Sequence, residues 1–169
     1  MLLMTIADFV TAEEIATLRG ALARHPSVDG RLTAQGDARR AKRNMELSRE
    51  GEAVKALDEV VAGAIRRSAR FAVVALPKAT TRPIYSRYAP GMAYGPHVDD
   101  AIMSPHATPL RTDLAVTIFL SESSDYDGGQ LVIEFSPVHG QRVKLPAGAA
   151  VIYPANTVHR ARPSRAASG

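Results

Sequence analysis

The 169-residue chain contains no cysteine. That excludes disulfides, thiolate metal sites and a cysteine nucleophile, so any bound metal must rest on nitrogen and oxygen ligands. No apolar run reaches the length of a membrane span. The apolar start, MLLMTIADF, lacks the basic residues and the small-residue cleavage site of a secretory leader, and the expected location is cytoplasmic. There is no repeat, no low-complexity stretch and no dividing linker. The length suits one domain, which can bury about 70% of its unfolded surface. The formal net charge of +4 is mildly basic. Its densest stretch is Arg39, Arg40, Lys42 and Arg43, which reads either as a solvated loop or helix face, or as a surface for an acidic substrate or nucleic acid. No aromatic residue interleaves it, so a stacking platform for bases is not indicated.

What is present falls into two halves. Thr11 and Glu14 form a T-x-x-E capping box ahead of Ile15, Leu18 and Leu22, which predicts a helix over Ala12–Arg24 closed by His25-Pro26. Val54, Leu57, Val61 and Ile65 predict a second helix, capped by Ser48 and running to about Ala69. From Arg82 onward the apolar runs are short and broken by Pro or Gly. Strands are expected over 84–88, 114–120, 131–135, 143–145, 149–153 and 157–161, with turns at Asp127-Gly128-Gly129 and Pro146-Ala147-Gly148. Helices followed by short antiparallel strands give an α+β class, a β-sandwich or jelly roll packed against helices.

The candidate chemistry lies in three residues: His97 and Asp99 in YGPHVDD, and His159 in YPANTVHR. A strand alternates its side chains, so H-x-D presents both to one face, and a later strand can return the third ligand. Two imidazoles and a carboxylate on one face of an octahedral ion leave three positions open, the facial triad of non-haem Fe(II) oxygenases. Spacing alone also admits surface residues or caps, and it admits zinc, whose catalytic sites use similar donors. A zinc hydrolase would want a nearby glutamate as base, and this segment offers only Asp100. The other histidines have plainer readings: His25 ends a helix, His106 lies in a Pro-rich loop without a partner at ligand spacing, and His139 precedes Gly140 at a turn.

Three ordered blocks make the reading specific. YSRYAPGMAYGPHVDDAIM, RTDLAVTIFLSESSDYDGGQLVI and LPAGAAVIYPANTVHR together resemble the PKHD-type hydroxylases, Fe(II)/2-oxoglutarate-dependent dioxygenases similar to the prolyl 4-hydroxylase branch. The KRNMEL stretch is compatible with this. The resemblance implies a double-stranded β-helix (a jelly roll) in a single domain over 1–169. Residues 1–80 would be helical support, 81–163 the jelly-roll core and 164–169 a divergent tail. It implies iron on His97, Asp99 and His159, which serve as both catalytic and metal residues. Tyr88 would donate a hydrogen bond to 2-oxoglutarate, against the plainer reading of a core aromatic, and Tyr94 would lie beside the iron pocket. Arg111 and Asp113 would fix the start of the long strand, and Gly128-Gly129 would form the turn before the sheet re-enters. The implied reaction couples oxidative decarboxylation of 2-oxoglutarate to substrate hydroxylation, with L-ascorbate keeping the iron reduced. The prime substrate stays open between a peptidyl residue and a small molecule, and neither membrane nor nucleic acid is expected as a partner.

The sequence departs from the family after Pro163. Related chains carry an arginine about ten residues beyond the distal histidine, and a planar guanidinium suits the far carboxylate of 2-oxoglutarate. Gly169 stands there instead. The expectation is a C-terminally truncated chain that lacks the last strand and the C-terminal extension, with weakened 2-oxoglutarate binding. Arg160 and Arg162 should face away from His159. The competing readings are a non-catalytic metal-binding remnant of the same fold and a nucleic-acid demethylase with the same triad.

Overall fold

The computed structural model describes residues 3–103, 109–136 and 138–166. Strand β1 (Met4–Ile6) leads into helix α1 (Ala12–Arg24), strand β2 (Ser27–Asp29) and a 3-10 helix (Gly30–Thr33). Helix α2 (Gly36–Ala41), strands β3 (Lys42–Arg43) and β4 (Met45–Leu47), and helices α3 (Glu52–Arg67) and α4 (Ala69–Ala75) follow. The strand-rich half comprises β5 (Ser86–Arg87), β6 (Ala93–His97), β7 (Ile102–Met103), β8 (Leu110–Arg111), β9 (Leu114–Ile118), β10 (Tyr126–Gly128) and β11 (Leu131–Ser136). It ends with β12 (His139–Val143), β13 (Ala150–Pro154), β14 (Val158–Ala161) and β15 (Ser164–Ala166).

Helix α1 has the expected bounds because its capping box forms: Glu14 Oε2 accepts from Thr11 N at 2.8 Å, and Thr11 Oγ1 accepts from Glu14 N at 3.2 Å. Glu14 also receives two hydrogen bonds from Arg67 of α3, at 3.0 and 2.8 Å, which ties the two helices together. Helix α3 buries Val54, Leu57 and Val61 against Leu18, Leu47 and Tyr85, while Ala64 on the same helix packs with Phe9 and Phe71. It starts at Glu52 after Gly51 (φ 104°) and is not capped by Ser48. Ser48 instead extends the β2–β4 pairing, its amide donating to Pro26 O at 3.2 Å, and the helix begins only after Gly51. The expected single run to Ala69 breaks at Ser68, whose hydroxyl accepts from Phe71 N and caps α4.

Two antiparallel sheets face each other as a jelly roll, one ordered β1-β13-β9 and the other β12-β11-β14-β6-β3. Phe119, Leu131, Ile133, Val143, Val151 and Tyr153 fill the space between them. Ala150 and Ile152 point the other way, into a second core with Ile6, Phe9, Ala64 and Phe71. Strand β13 is therefore buried on both faces, which is why AVIY is apolar without alternation. Gly95 of β6 lets α2 lie close behind the second sheet, since a Cβ there would be 3.0 Å from Ala41 Cβ.

Several expectations need correction. Residues 1–80 are more than helical support, because β1 joins one sheet and β3 the other. Asp127 and Gly128 lie in β10, with Gly129 following, where a simple hairpin tip was expected. Strand β12 precedes the expected 143–145 segment. The divergent tail, expected to leave its strand unformed, makes β15, which pairs with β10. The bonds are main-chain ones (Gly129 N to Pro163 O at 3.1 Å, Gly91 N to Ser164 O at 3.0 Å), so they need no particular side chains. Gly128 makes the approach possible: its φ is 70°, and a Cβ would lie 2.4 Å from Pro163 O. Residues 167–169 of that tail lie outside the described residues.

The Arg67 guanidinium, above all, holds the Glu14 carboxyl below its ordinary range, helped by Thr11. The ionised form therefore stabilises the fold above the ordinary glutamate range, and the effect is lost as pH falls through the lowered value. Both partners are partly exposed, so the cap dominates over the screened ion pair. Glu14→Gln keeps the reciprocal cap and removes only the charge, so it is expected to cost about 0.5 kcal/mol near neutral pH, and the gap to wild type should narrow toward about pH 3. Paired thermal melts at the two pH values check this; a gap independent of pH would contradict it.

Candidate metal centre

Strand β6 ends on His97, and β14 runs antiparallel to it with His159 as the cross-strand partner of His97. His159 is also opposite Ile133 of β11, so its ring faces the interior between the sheets. Asp99 comes from just beyond β6 rather than from within the strand. Its placement rests on the backbone: Asp99 N donates to Ala155 O at 3.1 Å, and Ala155 N donates to Asp113 O at 3.1 Å. The turn between β13 and β14 thus carries the carboxylate toward both imidazoles. Arg111 pairs with Asp113 at the start of β9, the structural role expected of them.

Each imidazole is oriented by its own strand. His97 Nδ1 lies 2.8 Å from Gly95 O, and His159 Nδ1 lies 2.9 Å from Thr157 O. With Nδ1–H donated to a carbonyl, the Nε2 lone pair is left for a ligand, the usual support of a metal-binding histidine. One potential donor atom each from His97, Asp99 and His159 lies within 4.8 Å of the others. His159 Nε2 is 3.7 Å from Asp99 Oδ1. Aromatic rings close two sides. Tyr94 stacks on His97 with centroids 3.5 Å apart, and Tyr153 meets His159 edge-on at 5.0 Å.

Burial sets the electrostatics. It lowers His97 to about 4, with smaller contributions from His159 and Lys42, so this imidazole is neutral and free to coordinate near pH 7. Burial also raises the Asp99 carboxyl above its ordinary range. A divalent cation would supply the charge that this carboxylate lacks in a buried setting. Two imidazoles and one carboxylate, with no thiolate, fit a borderline ion such as Fe(II). Of the other histidines, His25 caps α1 and His139 is exposed at the start of β12. His106 lies outside the described residues.

Tyr94 stacks on His97, and Tyr88 lies within electrostatic reach of Tyr94, Tyr153 and Glu46. Burial, reinforced by the Glu46 carboxylate, raises the Tyr88 phenol well above its ordinary range, and burial pushes Tyr94 up to about 12. Both hydroxyls therefore keep their protons as potential donors. The basic cluster does not stay together. Arg39, Arg40 and Arg43 are exposed, whereas Lys42 is buried and ion-paired with Glu46. Sequence reasoning missed Lys42, Asn44 and Glu46 as neighbours of the site. The signal was the period-two spacing K-x-N-x-E, which turns all three inward from a short extended segment.

The profile of the 2OG-Fe(II) oxygenase superfamily matches residues 83–168. A PKHD-type hydroxylase of Thioalkalivibrio sulfidiphilus is 43% identical over 162 residues, covering 96% of this chain and 72% of the relative. The chain belongs to the PKHD-type hydroxylases of this superfamily. It is an Fe(II)- and 2-oxoglutarate-dependent dioxygenase. A second PKHD-type hydroxylase, from a Caulobacter strain, is 40% identical over 94% of this chain and 70% of its own length. Solved structures agree on the fold: a Pseudomonas putida prolyl-4-hydroxylase matches with TM-score 0.63 at 16% identity, over 96% of this chain and 85% of that one. An oxidoreductase of the 2OG-Fe(II) oxygenase family from Burkholderia pseudomallei gives 0.66 at 20%, over 97% and 79%. The readings of a non-catalytic remnant and of an impaired, truncated enzyme find no support in these comparisons.

Replacing a ligand should cost more than the roughly 10- to 100-fold loss typical of a supporting partner. His97→Ala and Asp99→Ala are expected to weaken Co(II) binding beyond that range, while His25→Ala and His139→Ala leave it unchanged. Visible absorption of the Co(II) form reads this directly. Wild-type affinity in His97→Ala would remove His97 from the ligand set.

Proposed function

We propose that His97, Asp99 and His159 hold the Fe(II) of this PKHD-type hydroxylase, and that Tyr88 and Tyr94 line the place of 2-oxoglutarate. The carrying observation is the convergence of three donor atoms within 4.8 Å, with both Nδ1 atoms committed to carbonyls. Bound Fe(II) supplies the redox chemistry in which 2-oxoglutarate and O2 yield succinate and CO2 while a substrate C–H becomes C–OH. The chain's own part is positional. Gly95 O and Thr157 O fix the two imidazoles and Ala155 O fixes the Asp99 backbone; three such ligands would hold the ion while leaving positions for cosubstrate and O2. Tyr94 and Tyr153 each cover one side of an imidazole. The protonated Tyr88 hydroxyl would donate to a carboxylate of 2-oxoglutarate.

The reading extends to L-ascorbate as the reductant that maintains Fe(II), and to a prime substrate that is peptidyl or a small molecule. A prolyl residue is the first candidate, since the similar solved fold from P. putida is named a prolyl-4-hydroxylase. Among the described residues, no helix is long and apolar enough to cross a membrane. A cytoplasmic setting without membrane or nucleic-acid partners is proposed from the sequence.

The test is succinate formation from 2-oxoglutarate with Fe(II), with and without ascorbate, on wild type and His97→Ala. Wild type should form succinate, decline faster when ascorbate is withheld, and lose activity at least about 100-fold in the variant. Equal turnover in the two proteins would reject the iron assignment.

A further inference from the structure

Beside the triad the chain buries a polar row that the metal ligands do not use. Lys42, Asn44 and Glu46 are only 5%, 3% and 1% exposed. Lys42 is the cross-strand partner of Tyr94, and its ammonium stands 5.0 Å from the centre of that ring. Tyr94 in turn stacks on His97, so the row begins one side chain away from the metal ligands.

Lys42 Nζ has three donors. One goes to Glu46 and one to Thr33 Oγ1 at 2.9 Å; among the described residues the third has no acceptor. Glu46 is held in turn by Thr33 Oγ1, which donates to it at 2.6 Å, and it provides the countercharge without which a lysine ammonium is costly to bury. Asn44 is the more telling member. Its amide stands beside the Tyr88 hydroxyl, yet neither Nδ2 nor Oδ1 makes a well-formed hydrogen bond to the described residues. The fold makes room for this amide: a Cβ at Gly30 would lie 1.9 Å from Asn44 Oδ1. Buried polar groups in folded proteins are nearly always satisfied, so an orphan amide beside a buried phenol, two residues along the chain from a buried ammonium with a spare donor, marks a place for a polar ligand.

We infer that Lys42, Asn44 and Tyr88 form a buried carboxylate subsite, and that it takes the carboxylate of 2-oxoglutarate remote from the metal. The inference rests on the proposed reading of the triad. A dicarboxylate cosubstrate brings a second anion that must be paired once water is excluded. The arginines near the end of the chain do not supply the partner. Arg160 is paired with Glu134 on the outer face of its sheet, and Arg162 and Arg165 are exposed. Lys42 is a buried cation one ring away from His97, its ammonium 5.0 Å from the centre of the Tyr94 ring that stacks on that imidazole.

The experiment is calorimetric binding to the Mn(II)-loaded, full-length protein without O2. It compares 2-oxoglutarate with 2-oxopentanoate, which has the same chain length but no second carboxylate. Wild type should prefer 2-oxoglutarate by roughly tenfold or more, the worth of a charge-assisted hydrogen bond. Lys42→Met should abolish that preference by weakening 2-oxoglutarate roughly tenfold while leaving 2-oxopentanoate within about threefold. Because Lys42→Met strands Glu46 in the interior, the Lys42→Met/Glu46→Gln double variant is measured beside it. Asn44→Ala, which removes no charge, should weaken 2-oxoglutarate about threefold. An equal loss for both ligands, or no loss in any variant, overturns the subsite while the triad reading stands. Wild-type protein that binds Mn(II) but neither oxo acid overturns the cosubstrate reading itself, and the subsite with it.

Discussion

The antiparallel pairing of β6 with β14 is the constraint on which the site depends. It sets His97 opposite His159, and β14 is itself fixed by its register with β11, where Ile133 faces His159. A slip of one residue along β14 would turn Val158 or Arg160 inward and carry the imidazole to solvent. The hydrophobic fill between the sheets resists that slip, since Ile133, Val151 and Tyr153 would lose their packing together. Fold stability and ligand geometry are in this sense one property. Asp99 joins through the turn after β13, so the second ladder holds the carboxylate as the first holds the imidazoles.

Burial does two opposed things to this centre. It keeps the His97 imidazole neutral, which favours coordination, and it makes the Asp99 carboxylate costly to ionise, which coordination relieves. Deeper in, the same low-polarity surroundings raise the phenols of Tyr88 and Tyr153 well above the ordinary range, keeping them as donors rather than anions. The result is a chamber of neutral donors next to a place for one concentrated positive charge, an environment suited to an anionic cosubstrate.

Much of this was legible in the sequence, and where it was legible the signal was local. Thr11 and Glu14 mark the start of α1 because a capping box closes within four residues. The three candidate metal ligands, which the fold brings together, stood out because H-x-D and a later histidine flank recognisable blocks. What escaped depended on distant contacts. Ser48 is no cap because it continues the β2–β4 pairing through Pro26 and the helix starts only after Gly51, and Ser164–Ala166 forms a strand because two glycines admit its backbone. Lys42 looked like one more residue of a basic surface run. Only the pairing of β3 with β6 shows that it turns inward while Arg43 does not.

The two parts of the site are secured differently, and that governs how each tolerates change. The triad hangs on main-chain hydrogen bonds: Gly95 O and Thr157 O orient the rings, and Ala155 O places Asp99. Substituting neighbouring side chains leaves those bonds in place, just as the unusual tail sequence leaves the β10–β15 ladder intact. The polar row hangs on side chains. Thr33, Lys42 and Glu46 each use the others as partners, so removing one leaves a buried charge or hydroxyl unmatched. Coupling of that kind is costly to stability unless it is completed, and the unmatched Asn44 amide shows that it is incomplete within the protein alone. A ligand carboxylate would satisfy the spare lysine donor and the amide nitrogen together, so the row's own hydrogen-bond deficit defines the chemistry of what fills it.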